Sequence, residues 1–299
     1  MKHAVLGIGG VGGLVAGLLA KSGQQVDAVV RPQVLAAQPD NILIHQPTRR
    51  ILANVRITSD LDRRVDVFWI AVKATQLEKA LEGISGSEAS VGAVVPLLNG
   101  IDHVERLREF FGRRVVPATI SVESERVAPG HIIQRSPFVR FAISELGRSQ
   151  LQGVMEKLSD FGAEYHFIAN EATLMWSKLC LLAPLALTTT AAGRTIGEIL
   201  SDPQWEARLR SSTVETCAVA AAEGAAIDPA KIALLHSSLP PGMRSSMQKD
   251  VAAGRLPELD AIAGPILHGA KKNSLPVTTC RYLNAAIAQM IGAAKAGHN

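Results

Sequence analysis

The sequence predicts an α/β protein in two parts, a parallel-sheet domain followed by an all-helical one. Three observations carry that prediction. A glycine turn, Gly7-Ile8-Gly9-Gly10-Val11-Gly12, stands between a short apolar run and helix-forming sequence. Short apolar runs then alternate with helical sequence through the first hundred or so residues. After Asn170 the chain is helical in pattern almost throughout.

Ala4-Val5-Leu6 reads as the first strand and Leu14 to Ala20 as the first helix. Strand, glycine turn and helix in that order are the context a dinucleotide fingerprint requires. The first Gly permits the tight turn, the second lets backbone approach a pyrophosphate, and the third lets helix pack on strand. Backbone N–H groups at the helix start then face the phosphates, helped by the helix dipole. Gln25 to Val30, Val65 to Val72 and Gly92 to Leu98 follow as strands, with a helix at Gln76 to Ile84. Short apolar strands alternating with helices imply a parallel sheet covered on both faces, a Rossmann-type domain.

From Val115 the pattern changes to Thr/Ser/Val alternation, in Pro117 to Glu123, His131 to Gln134 and Phe138 to Ser144. These are expected to be antiparallel strands completing the same sheet, joined by the Ala128-Pro129-Gly130 turn. Leu151 to Phe161 reads as a helix and Glu164 to Ile168 as a last edge strand. The remaining helices are placed at Ala172 to Leu187 (interrupted by Pro184), Pro203 to Glu223, Pro229 to Leu235, Pro257 to Lys271 and Val277 to Ala294. Gly224 marks a helix stop and Asp228-Pro229 a start. The expected division is a dinucleotide-binding domain at 1–168 and a helical domain at 169–299, with substrate in the cleft between them.

Composition narrows the function classes. Hydrophobic residues make up 47% and charged residues 19% of 299, values of a globular chain long enough for two cores. The formal charge of +4 comes without a Lys/Arg block or aromatic–basic interleaving, so no nucleic-acid partner is expected. An anionic small molecule accounts for the excess. The apolar start resembles a signal peptide, but six glycines interrupt it and no cleavage site follows. No uninterrupted apolar run reaches 18 residues, so no membrane partner is expected and the location is expected to be cytoplasmic. Cys180, Cys217 and Cys280 are far apart and in no ligand spacing; reduced thiols and no metal are expected. Apolar helices in the second domain would suit a homodimer.

Polar residues at informative places come next. Arg31 ends the second strand, placed to pair with a ribose 2′-phosphate, whereas Asp27 sits mid-strand, so NADP is expected over NAD. Lys73 and Asn99-Gly100 end successive buried strands, where ligands bind doubly wound sheets. Lys178 interrupts the apolar run Met175 to Leu182. Either it snorkels to water, or desolvation lowers its pKa and makes it a useful proton donor. Ser245-Ser246-Met247 and Glu258-Leu259-Asp260 complete the set; the acidic pair fits a helix start equally well.

In order and spacing, the glycine turn, Arg31, Lys73, Asn99-Gly100, Lys178 and the run from Ser245 to Asp260 resemble the ketopantoate reductase family over essentially the whole chain. The resemblance implies NADPH-dependent reduction of a 2-oxo acid, 2-dehydropantoate, in pantothenate biosynthesis. It implies cofactor contacts at Gly7, Ile8, Gly9, Gly10, Val11, Gly12, Arg31, Lys73, Asn99 and Glu258. It implies Lys178 as proton donor, and Asn99, Lys178 and Ser246 as substrate contacts. The chain departs from the family at Leu182, Ala186 and Ile196, where polar substrate contacts are usual; Thr188, Thr189 or Thr190 on the next turn are the candidate replacements. Three alternatives stay open: a paralogue acting on a more apolar 2-oxo acid, a hydroxyacid or opine dehydrogenase, and a non-catalytic NADPH-binding regulator.

Overall fold

A computed structural model describes residues 1–84, 86–87 and 90–296, in two compact units. The first comprises Met1–Leu98 and His103–Glu171, the second Asn99–Asp102 and Ala172–Asn299.

The first unit opens with β1 (Lys2–Leu6), α1 (Gly10–Lys21), β2 (Gln25–Val29) and the short α2 (Pro32–Leu35). Then come β3 (Asn41–His45), β4 (Arg50–Asn54), β5 (Arg56–Thr58), β6 (Val65–Ile70), α3 (Leu77–Glu82) and β7 (Val91–Pro96). A five-stranded, wholly parallel sheet runs β5-β2-β1-β6-β7. Its central strands are buried on both faces, which is why β6 reads as an almost unbroken apolar run. Strand order reverses at β1, with β2 on one side and β6 on the other. That reversal is the topological switch point where open α/β sheets bind ligands, at the strands' carboxyl ends.

The unit continues with α4 (His103–Phe111), β8 (Ala118–Ser121), β9 (Ser124–Ala128), β10 (His131–Gln134), β11 (Val139–Ser144), α5 (Arg148–Ser159) and β12 (Ala163–Ile168). These strands do not complete the parallel sheet as the alternation predicts. They form two smaller sheets, β12-β11-β8 and β4-β3-β10-β9. A single bridge from Val94 to Val115 begins a continuation of the main sheet. Pro117 has no N–H with which to extend that ladder, and the chain peels away into β8. The strands β3 and β4, unread in the sequence, bury only alternate residues and pack Ile42 and Ile44 toward α1. Gly17 and Gly13 of α1 make room for Ile44 and Ile132, which accounts for glycines beyond the turn itself.

The second unit holds α6 (Glu171–Ala192), α7 (Ile196–Ser201), α8 (Pro203–Ala222), α9 (Pro229–Ser237), α10 (Ser246–Ala252), α11 (Leu259–Lys272) and α12 (Thr278–Ala296). The expected interruption at Pro184 does not occur; α6 passes through it. Burial on nearly every side holds the helix, outweighing the one hydrogen bond that proline removes. By length and composition α6 could cross a membrane, but 67% of that apolar window is buried within the protein. Glu215 of α8 caps α12 by accepting from the N–H groups of Thr279 and Cys280 at 2.9 and 2.8 Å. The three cysteines are buried and free.

One buried pair makes stability depend on pH. Trp69 Nε1 donates to His3 Nδ1 at 3.1 Å, so the imidazole proton lies on Nε2. Burial pushes the His3 pKa down to about 4. The unfolded chain takes up this proton near pH 6.5, the folded one only near 4. Stability is therefore lost as pH falls through that window, by about 3 kcal/mol when complete. Urea unfolding at pH 7 and pH 4 should show His3→Gln losing less stability on acidification than the wild type; equal losses would acquit the histidine.

Candidate functional site

In the first unit the site begins where β1 ends. Gly7 turns with φ +87°, a conformation that L side chains rarely adopt. A Cβ at Gly12 would lie 1.9 Å from the Gly7 carbonyl oxygen, so helix and strand can approach only here without a side chain. Gly9 caps α1 with no side-chain hydrogen bond, and a Cβ there would meet nothing within 4 Å. The first N–H groups of α1 thus lack a capping side chain, as an anion site requires. Ile8 is buried and Val11 packs on the core, so the turn is anchored through its apolar side chains. The cradle fits a pyrophosphate. Ser124 at the start of β9 closes against it: a Cβ at Gly10 would sit 2.3 Å from the Ser124 carbonyl oxygen. Ser124 Oγ is buried with no hydrogen-bond partner. No local sequence signal joins residue 124 to the turn; only the pairing of β9 with β10 over α1 brings it there.

Arg31 follows β2, exposed, with Pro32 opening α2 behind it. Asp27 is buried and held by Arg63 and Arg56, leaving its carboxylate occupied. The two arginines are what sequence inspection missed; β5 brings Arg56 into register with Asp27. Lys73 lies just beyond β6, and its carbonyl accepts from Gln76 N–H at 2.8 Å to start a tight 3₁₀ turn.

In the second unit three residues far apart in sequence meet. Lys178 Nζ on α6 donates to Asn99 Oδ1 at 3.0 Å, and Asn99 Nδ2 donates to Glu258 Oε2 at 3.1 Å. Lys178 is half-buried and turned to this amide. Burial pushes its pKa from the usual 10.5 down to about 8, and the negative charge of Glu258 opposes the fall. A lysine so placed holds its proton at neutral pH and releases it readily, as a general acid must.

Ser246 is exposed at the first position of α10. Its neighbour Ser245 is the buried cap, accepting from Gln248 N–H at 3.1 Å and hydrogen-bonded to Thr189 Oγ1 at 3.0 Å. Leu182, one turn beyond Lys178, is half-buried, while Ala186 and Ile196 are fully buried. Thr188 and Thr189 do not supply the missing donors, and Thr190 Oγ1 lies 3.5 Å from Ser245 Oγ. Thr188 and Thr189 donate to the Pro184 and Leu185 carbonyls at 2.7 Å, and all three residues are buried. A hydroxyl that satisfies its own helix has no proton left for a ligand.

Comparison with known proteins matches the chain to one family over most of its length. The model of the family described as "Ketopantoate reductase PanE/ApbA" matches residues 3–147, and that of "Ketopantoate reductase PanE/ApbA C terminal" matches residues 171–291. The uncharacterized oxidoreductase YkpB of Bacillus subtilis (strain 168) is 29% identical, covering 95% of this chain and 97% of its own. A 2-dehydropantoate 2-reductase of Caulobacter vibrioides is 28% identical, covering 97% and 98%. The ternary structure of D-mandelate dehydrogenase with NADH and anilino(oxo)acetate shares the fold, with a TM-score of 0.87 at 21% identity over 99% of this chain and 100% of that one.

Glu258→Gln removes the charge that raises the Lys178 pKa, so the lysine should titrate lower than about 8. NMR titration of the reductively methylated lysines reads this directly. An unchanged Lys178 titration would mean that the carboxylate does not act on it.

Proposed function

Because this chain belongs to the ketopantoate reductase family, we propose that it reduces a 2-oxo acid to the 2-hydroxy acid, using NAD(P)H with NADPH preferred. The observation that supports this most is the hydrogen-bonded chain Lys178–Asn99–Glu258, with an ammonium whose pKa lies near 8. The turn Gly7 to Gly12 would hold the pyrophosphate, and Arg31 the 2′-phosphate, since Asp27 is occupied by Arg63 and Arg56. Lys73, Asn99 and Glu258 would complete the cofactor contacts. A reduced nicotinamide held by these residues would supply the hydride for the ketone carbon.

The protein's part concerns the ketone oxygen. As alkoxide character develops there, the Lys178 ammonium stabilises it and delivers the proton. Asn99 Oδ1 aims the ammonium, and Glu258 favours its charged form. Asn99 and Ser246 would orient the substrate, so that little freedom remains to be lost at the transition state. A regulator without catalysis would have no need of a half-buried lysine so tuned.

The first substrate reading is 2-dehydropantoate, the activity named for the Caulobacter relative, which would place the reaction in pantothenate biosynthesis in the cytoplasm. One observation favours a second reading, a more apolar 2-oxo acid. The half-buried side chain one turn from Lys178 is Leu182, which offers a hydroxylated substrate no hydrogen bond. A missing buried partner costs about 1–3 kcal/mol, or about ten- to a hundredfold in affinity.

Lys178→Ala should lower kcat by about a hundredfold or more, with NADPH affinity little changed; a variant of unchanged kcat would remove Lys178 from the reaction. NADPH oxidation across a panel of 2-oxo acids should show reduction of at least one, and the ratio of kcat/KM for 2-dehydropantoate to that for 3-methyl-2-oxobutanoate should separate the two substrate readings. NADPH binding without oxidation by any of them would contradict the proposed activity.

A further inference from the structure

For the hydrogen-bonded chain to exist, Asn99 must be held still, and α11 provides the surface. The segment Asn99–Asp102 runs along that helix. Asn99 bonds to Glu258 at the helix start, Gly100 abuts Ala261, and the Asp102 carboxylate lies 3.8 Å from His268 Nδ1. Ala261 and His268 are two turns apart and so share a face. Ile101 packs into the core of the helical unit.

The closest of these contacts is the Gly100 one. A Cβ at Gly100 would sit 2.3 Å from the Ala261 carbonyl oxygen and 3.3 Å from the Ala261 Cβ, and φ there is +82°. Within a helix a carbonyl ordinarily accepts from the N–H four residues on. For Ala261 that position is Pro265, inside α11, which has no N–H and whose ring crowds the same carbonyl. The Ala261 oxygen therefore lacks the donor that a helix ordinarily gives it, and Gly100 lies close against it.

We infer that Pro265 is a positioning residue for Lys178: by keeping the Ala261 carbonyl out of the ladder, it makes the seat on which Gly100 fixes the Asn99 amide. Its kinetic consequence rests on the proposed reduction; its structural consequence does not. Alanine at position 265 would restore the N–H, draw the Ala261 carbonyl back along the axis and leave Gly100 without its seat. Alanine is also the better helix former, so folding is not at risk.

The test is Pro265→Ala, alone and combined with Asn99→Ala. A crystal structure of the single variant should show Ala261 bonded to the residue 265 N–H, and Asn99 Oδ1 displaced by more than about 1 Å from its place at Lys178. Thermal unfolding should be unchanged or raised, while kcat for the 2-oxo acid falls about tenfold with KM within about twofold. In the Asn99→Ala background the same substitution should change kcat less than about twofold, because Pro265 acts through Asn99. An unmoved Asn99 amide in the variant overturns the inference, as does an equal loss of kcat in both backgrounds. If wild-type protein reduces no 2-oxo acid, the proposed function fails while the crystal structure still decides the role of Pro265.

Discussion

The structure of the candidate site depends on keeping one ammonium partly out of water while leaving it charged. Burial alone drives the Lys178 pKa down, and without opposition a buried amine becomes neutral and useless as an acid. Glu258 supplies the opposing charge, and Asn99 lies between the two, accepting from the lysine and donating to the carboxylate. Dehydration, countercharge and a bridging amide thus place the pKa near the pH at which a metabolic enzyme works.

Much of the helical unit serves that balance. α6 is buried on nearly every side, so the backbone carrying Lys178 has little freedom, and the Thr188 and Thr189 hydroxyls bond to its own carbonyls. α11 begins beside Glu258 and receives the Asn99–Asp102 segment along one face. In the sheet unit the corresponding demand is for absence of side chains. At Gly12 a Cβ would collide with backbone, and at Gly9 a Cβ would meet nothing within 4 Å. Both devices use residues that helices ordinarily avoid, glycine at one and proline at the other.

The sequence revealed elements whose burial follows a simple period and hid those decided by long-range pairing. β1, β2, β6 and β7 are buried on both faces and mostly apolar, and were legible at once. β3 and β4 carry asparagine, histidine and arginine on their exposed face and yielded no signal. Alternation revealed β8, β10 and β11 as strands but could not tell which sheet they join, because Pro117 breaks a pairing that no local pattern encodes. Pro184 looked like an interruption because its cost is local, whereas the packing that outweighs it comes from other helices. Lys178 was legible as an anomaly in an apolar run and Asn99 as a polar residue ending a buried strand, but no local pattern joins them to each other or to Glu258. Arg63 and Arg56 at Asp27, and Ser124 against the glycine turn, carry no motif of their own.

The pH dependence of kcat for 2-oxo acid reduction tests the central claim most directly. If the Lys178 ammonium is the proton donor, kcat falls as pH rises through about 8, the value at which this lysine loses its proton. A kcat that stays level to pH 10 would contradict the assignment, since the lysine would then be neutral while catalysis continued.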